Sequence, residues 1–107
     1  MNKINNTVEL LIAAILDSPE YRAYDEQRNK VNQFPELKAK IDEFRERNYL
    51  LQISDDADAL EKLEQFEREY SDFLEEPLVA DFLAAELAFC RMMQDVNLHI
   101  TESLRFE

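Results

Sequence analysis

The chain of 107 residues contains no glycine, although an average chain of this length carries roughly seven. Phosphate-binding loops, dinucleotide fingerprints and nucleophile elbows need glycine where the backbone meets a phosphate or turns sharply, so the sequence excludes these sites. Two-residue hairpins of the Asn-Gly type are also excluded, which disfavours an all-β fold.

Cysteines and cations are also few. The single cysteine, Cys90, cannot form an internal disulfide and fits a reducing cytoplasm. The chain has 24 acidic and 12 basic residues, for a net charge of −12, which disfavours direct binding of nucleic acid through its phosphates. The longest apolar run, residues 10–16, is shorter than the about 20 residues that span a bilayer. No cleavage site follows that run, so we predict a cytoplasmic protein that does not insert into a membrane.

Prolines and a Ser/Asp cluster divide the chain into five helix-length segments. Pro19, Pro35 and Pro77 each fit the first position of a helix. Thr7 is the predicted cap of the first helix, and the Asp and Ser side chains of residues 54–58 are predicted to cap the fourth. The predicted helices are residues 7–17, 19–33, 35–53, 57–75 and 77–103. The sequence thus predicts an all-α, four- to five-helix antiparallel bundle with a long C-terminal helix, forming one domain over residues 1–107.

Apolar residues recur at three- and four-residue spacing within these segments. The first segment is apolar on more than one face. The fourth carries Leu60, Leu63, Phe66, Tyr70, Phe73 and Leu74, and the fifth carries Val79, Phe82, Leu83, Glu86, Phe89, Cys90, Met93, Val96, Asn97, Ile100 and Leu104. Such stripes are typical of a bundle or coiled-coil seam. Because one copy would not cover all of them, we predict a homodimer.

The negative charge is concentrated in one part of the chain. Residues 54–76 hold ten acids and two bases, and this segment accounts for eight of the twelve excess charges. The candidate acidic face consists of Asp55, Asp56, Asp58, Glu61, Glu64, Glu67 and Asp72. This face could dock a basic partner. It could equally be a solvated surface that keeps the protein soluble, or the complement of the cationic second and third helices.

The sequence offers little for catalysis. His99 and Asp95 stand four residues apart, which suits an acid/base pair or an ordinary surface ion pair. Cys90 lies on the apolar stripe and is predicted to be a buried small hydrophobe. The Glu-x-x-His motif of di-metal bundles is absent. We predict no catalytic residue, no metal ligand and no cofactor.

A few residues on the helices are candidates for packing specificity or interaction. Glu86 and Asn97 are polar interruptions of the long apolar stripe that contains Phe82. Glu86 must pair or stay near water, either in an ion pair with an arginine of the second or third helix or in a contact that sets dimer register or receives a partner. Asn97 is a candidate for specifying the packing. Tyr21 and Tyr24, with Phe34, Phe44 and Tyr49, form either core or an exposed binding patch.

The order of motifs resembles that of a known family. Ser18-Pro19-Glu20-Tyr21 opens one helix, Phe34-Pro35-Glu36 opens the next, and residues 76–86, EPLVADFLAAE, begin the last. This succession over residues 7–104 resembles the YlbF/YmcA family of small helical bacterial proteins, including its YheA-like branch. One branch of that family is associated with iron–sulfur clusters through several cysteines, whereas this chain has only Cys90.

The resemblance implies a cytoplasmic, dimeric, non-enzymatic regulator. Studied members act in competence, biofilm and sporulation control, together with other family members and through a complex with endoribonuclease Y. Two alternatives are a stand-alone structural helical dimer and a carboxylate-based metal-binding protein, for which Glu86 would be the inward-facing acid.

Overall fold

The computed structural model describes residues 2–55 and 57–104. These residues form five α-helices and no strand: α1 (Lys3–Leu16), α2 (Pro19–Asn32), α3 (Pro35–Gln52), α4 (Ala59–Glu75) and α5 (Pro77–Leu104). The all-α prediction is confirmed. The predicted single domain and homodimer stay predictions.

The helices begin where their capping groups lie. Pro19, Pro35 and Pro77 are each the first residue of a helix, as predicted. The Ser18 hydroxyl accepts a hydrogen bond from the Tyr21 amide at 3.1 Å, and so caps α2. The prediction for Thr7 is wrong, because α1 begins four residues earlier, where the Asn2 side chain accepts a hydrogen bond from the Asn5 amide at 2.8 Å. An asparagine at the cap binds a free amide of the first turn, as Thr7 was expected to do.

The start of α4 also differs from the prediction. Asp58 is its N-cap residue, but the Asp58 side chain makes no capping hydrogen bond. It lies 3.6 Å from the ammonium of Lys62 instead, one helical turn further on. At Asp58 the structure therefore shows an ion pair with Lys62 in place of the predicted capping hydrogen bond. Contacts group the chain into two compact units, residues 29–81 and residues 1–28 with 82–107.

The core of residues 29–81 is built on α3 and α4. Four rings pack together: Phe44, Phe66, Tyr70 and Phe73. Lys40 of α3 lies over the Phe73 ring of α4. Arg47, which comes later in α3, lies over the ring of Phe66, which comes earlier in α4. This order shows that the two helices are antiparallel. Val31, Ile41 and Val79 are also buried.

The other unit packs the start of α2 on α5. The Tyr24 ring stacks on Phe89 with centroids 5.3 Å apart, and it lies 6.1 Å from Phe82. Tyr21 meets Phe89 edge-on at 5.4 Å. Phe82 is buried, while the two tyrosines and Phe89 are half-buried. These rings form the aromatic core of this unit.

Candidate interaction surfaces

A largely apolar exposed surface belongs to α1. None of its 14 residues is buried, although its sequence, KINNTVELLIAAIL, is largely apolar. Ile4 is 73 % exposed and Leu10 is 72 % exposed. A helix that is apolar on more than one face normally lies inside a protein or an interface. The sequence predicted the apolar faces of α1, and the structure shows that the described chain leaves them uncovered.

The second half of α5 continues this surface. A shallow groove of about 420 Å³ is lined by five residues of α1 and by Ile100 of α5. The α1 residues are Lys3, Ile4, Thr7, Val8 and Leu11. We call this feature the α1–α5 groove. Isolated exposed apolar side chains are ordinary, but a continuous apolar surface marks an interaction site.

The structure separates the candidate residues of α5 by position. Phe82 is buried under Tyr24, so it is a packing residue. Glu86 is half-buried, and Asn97 is exposed. Cys90 is exposed too, which corrects the prediction of a buried cysteine. The stripe that the sequence shows as one continuous line is therefore buried at Phe82 and open to solvent at residues 90, 93, 97, 100 and 104.

The five aromatic residues of the sequence prediction divide into three groups. Tyr21 and Tyr24 pack on Phe89 and Phe82, as half-buried core. Phe44 belongs to the α3–α4 ring cluster. Phe34 is 54 % exposed and Tyr49 is 63 % exposed. The hypothesis of one exposed aromatic patch is therefore wrong for Tyr21, Tyr24 and Phe44, which have ring partners inside the fold.

A cluster around Arg47 was not predicted from the sequence. The Arg47 guanidinium donates to both carboxylate oxygens of Glu69, at 2.8 and 2.9 Å, and to the Tyr70 hydroxyl at 3.2 Å. It also lies 5.5 Å from the Phe66 ring centre and 5.2 Å from that of Tyr70. Such a bidentate, stacked arrangement is specific to arginine. No local pattern marks this pair, because its members are 22 positions apart on different helices.

The Arg47 contacts alter the acid–base properties of the pair. Hydrogen bonding from Arg47 lowers the pKa of Glu69 below its ordinary value. The hydrogen bonds to Glu69 and Tyr70 raise the pKa of Arg47. The pair is about half exposed, so salt and water weaken its net contribution to stability. The contact joins α3 to α4.

The candidate acidic face lies on the surface. Asp55, Asp58, Glu61, Glu64, Glu67 and Asp72 are all exposed, while Asp56 lies outside the described residues. Asp58 is engaged by Lys62, and Glu69 of the same helix by Arg47. Arg47 of α3 thus pairs with one acid of α4 within the chain. The solvated-surface and partner-docking interpretations both remain predictions.

The residues with catalytic potential are exposed side chains of α5. His99, Asp95 and Cys90 are all exposed. Among the residues that the structure describes, no group of three His, Cys, Asp or Glu side chains is placed to hold a metal ion. None of the helices in that part of the chain combines the length and the hydropathy needed to cross a membrane.

These features define an all-α protein of small size that leaves an apolar N-terminal helix uncovered. The chain belongs to the YlbF/YmcA family: the family model described as "Control of competence regulator ComK, YlbF/YmcA" matches residues 4–105. The family is linked to the regulation of competence. No curated protein and no solved structure matches the chain.

Proposed function

We propose that this protein is a non-enzymatic regulator that works through protein contacts in the cytoplasm. It would act as a homodimer, and with other family members it would join a complex with endoribonuclease Y that controls competence, biofilm formation and sporulation. The observation that carries the proposal is the uncovered apolar surface of α1 and α5 in a chain of a competence-regulator family.

The chemistry of the surface supports a binding role. The sole histidine and the sole cysteine are exposed side chains of α5. An enzyme site needs several polar groups converging in a cleft from which water can be excluded. Four of the six residues that line the α1–α5 groove are instead aliphatic, and such side chains suit the apolar centre of a protein interface.

Retrieval from the native host tests the partner. A tagged full-length chain, expressed at its native level, is expected to retrieve the ribonuclease and other family members. A chain with Ile4→Glu and Leu11→Glu, both in the groove, is expected to retrieve less of them. Glu61→Gln and Glu64→Gln, on the acidic face, serve as the control for loss through that other surface.

Two results would count against the proposal. If the tagged chain retrieves only itself while a tagged relative retrieves the ribonuclease from the same cells, the chain is a stand-alone dimer. If both groove and acidic-face variants retrieve the complex in full, neither surface is needed for the chain to join it.

A further inference from the structure

The second half of α5 carries a regular stripe that the protomer leaves open. Cys90, Met93, Asn97, Ile100 and Leu104 follow one another at intervals of three, four, three and four residues. This is the a/d spacing of a coiled coil, with cysteine, asparagine and leucine at a positions and methionine and isoleucine at d positions. We call these five residues the α5 seam. At 1.5 Å per residue the seam is about 21 Å long.

All five seam residues are exposed in the protomer. Met93 is 38 % exposed, Ile100 is 43 % exposed and Leu104 is 65 % exposed. The residues between them on the neighbouring face, Phe89, Met92 and Val96, are half-buried. The α5 helix therefore has one face packed within the protomer and an adjoining seam that the described chain leaves exposed.

The distribution of charge along α5 singles out the seam. From residue 87 to residue 104, the seam and both flanking positions of each heptad carry no charged side chain, in a protein of net charge −12. The flanking residues are Leu87, Gln94 and Thr101 on one side, and Phe89, Val96 and Ser103 on the other. Arg91, Asp95 and Glu102 occupy b and f positions, away from the seam. Two such seams can approach without burying a charge.

The α1–α5 groove widens the seam. Ile100, in the C-terminal half of the seam, lines the groove with Ile4, Val8 and Leu11. Two heptads are too short for a stable coiled coil by themselves. With α1 beside α5, each copy presents two adjacent helices that carry exposed apolar side chains. Two copies would together supply the four helices of a four-helix bundle. A stable interface buries about 800 Å² on each partner, so the proposed contact includes the groove as well as the seam.

The charge and hydropathy of the α5 seam and the α1–α5 groove indicate what kind of partner covers them. A membrane-binding helix carries Lys and Arg beside its apolar face, whereas α1 has only Lys3 and the acidic Glu9. A basic partner would need acids around the seam, and the flanking positions hold none. An uncharged apolar helix with the same spacing fits, and a second copy of this chain supplies one by two-fold symmetry.

We propose that the α5 seam is the contact with the α5 seam of a second copy, with α1 of each copy completing the interface. Asn97 is the one amide in the seam, and it sets the alignment of the two helices because its amide must find a hydrogen-bond partner when it is buried. This inference rests on the homodimer of the proposed function and assigns its surface.

Light scattering and sedimentation on the full-length chain test the seam. Ile100→Glu places a charge in the seam, and the dissociation constant of the dimer is expected to rise at least about 100-fold. Leu98→Glu is the matched control, since Leu98 is 53 % exposed on the same helix but lies outside the seam. It adds the same charge and is expected to leave the dissociation constant within about threefold. Helix content by circular dichroism checks that both variants fold.

Asn97→Leu is expected to change association in the opposite direction. An asparagine at an a position fixes alignment while lowering stability, so leucine should tighten the dimer by about tenfold. If Asn97→Leu weakens the dimer, the alignment role of Asn97 is wrong.

Thiol alkylation of the wild-type chain gives a measurement that needs no variant to fold. Cys90 is the only thiol and is exposed in the protomer. Its reaction rate with a maleimide is expected to fall as protein concentration rises through the dimerisation range. In Ile100→Glu the rate should stay fast at every concentration.

Three outcomes would overturn the inference. If wild type is dimeric and Ile100→Glu is equally dimeric, the seam is wrong and the homodimer stands. If wild type has the 12.7 kDa monomer mass at tens of micromolar, both fail. If the monomer instead binds anionic vesicles and Ile100→Glu abolishes that binding, a membrane covers the seam.

Discussion

At the scale of single residues, Arg47 is the clearest case of a role set by neighbours. Its guanidinium is held by Glu69 and Tyr70 and lies over two aromatic rings. In the sequence Arg47 is one of several cations on an amphipathic helix, and Glu69 is one of many acids. Only the antiparallel pairing of α3 with α4 brings the two together.

The lowered pKa of Glu69 predicts a pH dependence of stability. A carboxylate with a lower pKa in the folded state stabilises the fold fully above its unfolded pKa, which is about 4.3 for glutamate. That contribution is lost as the pH falls through the lower folded pKa. Between pH 6 and pH 3 wild type should therefore lose more free energy of unfolding than Glu69→Gln, as measured by urea denaturation at each pH.

The exposed Glu67→Gln provides the control for this experiment, and it should show the pH dependence of wild type. The difference between wild type and Glu69→Gln should shrink at 1 M salt, because the pair is about half exposed. Parallel pH curves for wild type and Glu69→Gln would show that the Arg47 contact does not stabilise the fold.

At the scale of elements, α5 shows that one apolar pattern can be buried along part of a helix and exposed along the rest. Val79 and Phe82, in its first turns, are buried, whereas Met93, Ile100 and Leu104 are exposed. Similarly, Leu60 at the start of α4 is 70 % exposed, although it lies on the same predicted stripe as the buried Phe66. Periodicity identifies the apolar face, and the packed partner decides which part of it is core.

Substitutions on α5 should report this division. Phe82→Ala removes a ring that is 5 % exposed and lies against Tyr24, and it should cost about 3–5 kcal/mol of unfolding free energy. Leu98→Ala, at a 53 % exposed position, should change it by about 0.5 kcal/mol or less. Urea denaturation at one fixed protein concentration measures both, since dimerisation makes stability depend on concentration. A loss well under 1 kcal/mol for Phe82→Ala would mean that its face is not core.

At the scale of the whole molecule, the net charge of −12 opposes any association of two copies. The α5 seam and its flanking positions carry none of that charge. Attraction between two copies would therefore come from the burial of apolar side chains. Repulsion would come from the negative charges elsewhere on the two surfaces. The two contributions respond differently to salt.

Salt should therefore strengthen the dimer. Raising sodium chloride from about 20 mM to about 300 mM shortens the screening length from roughly 20 Å to roughly 6 Å, so the repulsion weakens while the apolar contact persists. Sedimentation equilibrium should show a lower dissociation constant at the higher salt concentration. A dimer that dissociates on salt addition would instead be held by ion pairs between the acids of α4 and the cations of α2 and α3.

The sequence by itself determined the helices, their breaks and the family. With no glycine, the chain turns at Ser18-Pro19, Phe34-Pro35 and Glu76-Pro77, because proline fits the first position of a helix and not its interior. Helix formation and the order of motifs are local properties along the chain, so they can be predicted from one sequence. The start of α1 was missed because both Asn2 and Thr7 are able to cap a helix.

The tertiary structure decided which apolar faces are covered and which charges meet. It buried Phe82 and exposed Cys90 on one stripe, left most of α1 exposed, and joined Arg47 to Glu69. Burial and ion pairing depend on which helices pack together and in which direction. Because that choice is non-local, spacing along the chain shows which faces are apolar but not what covers them.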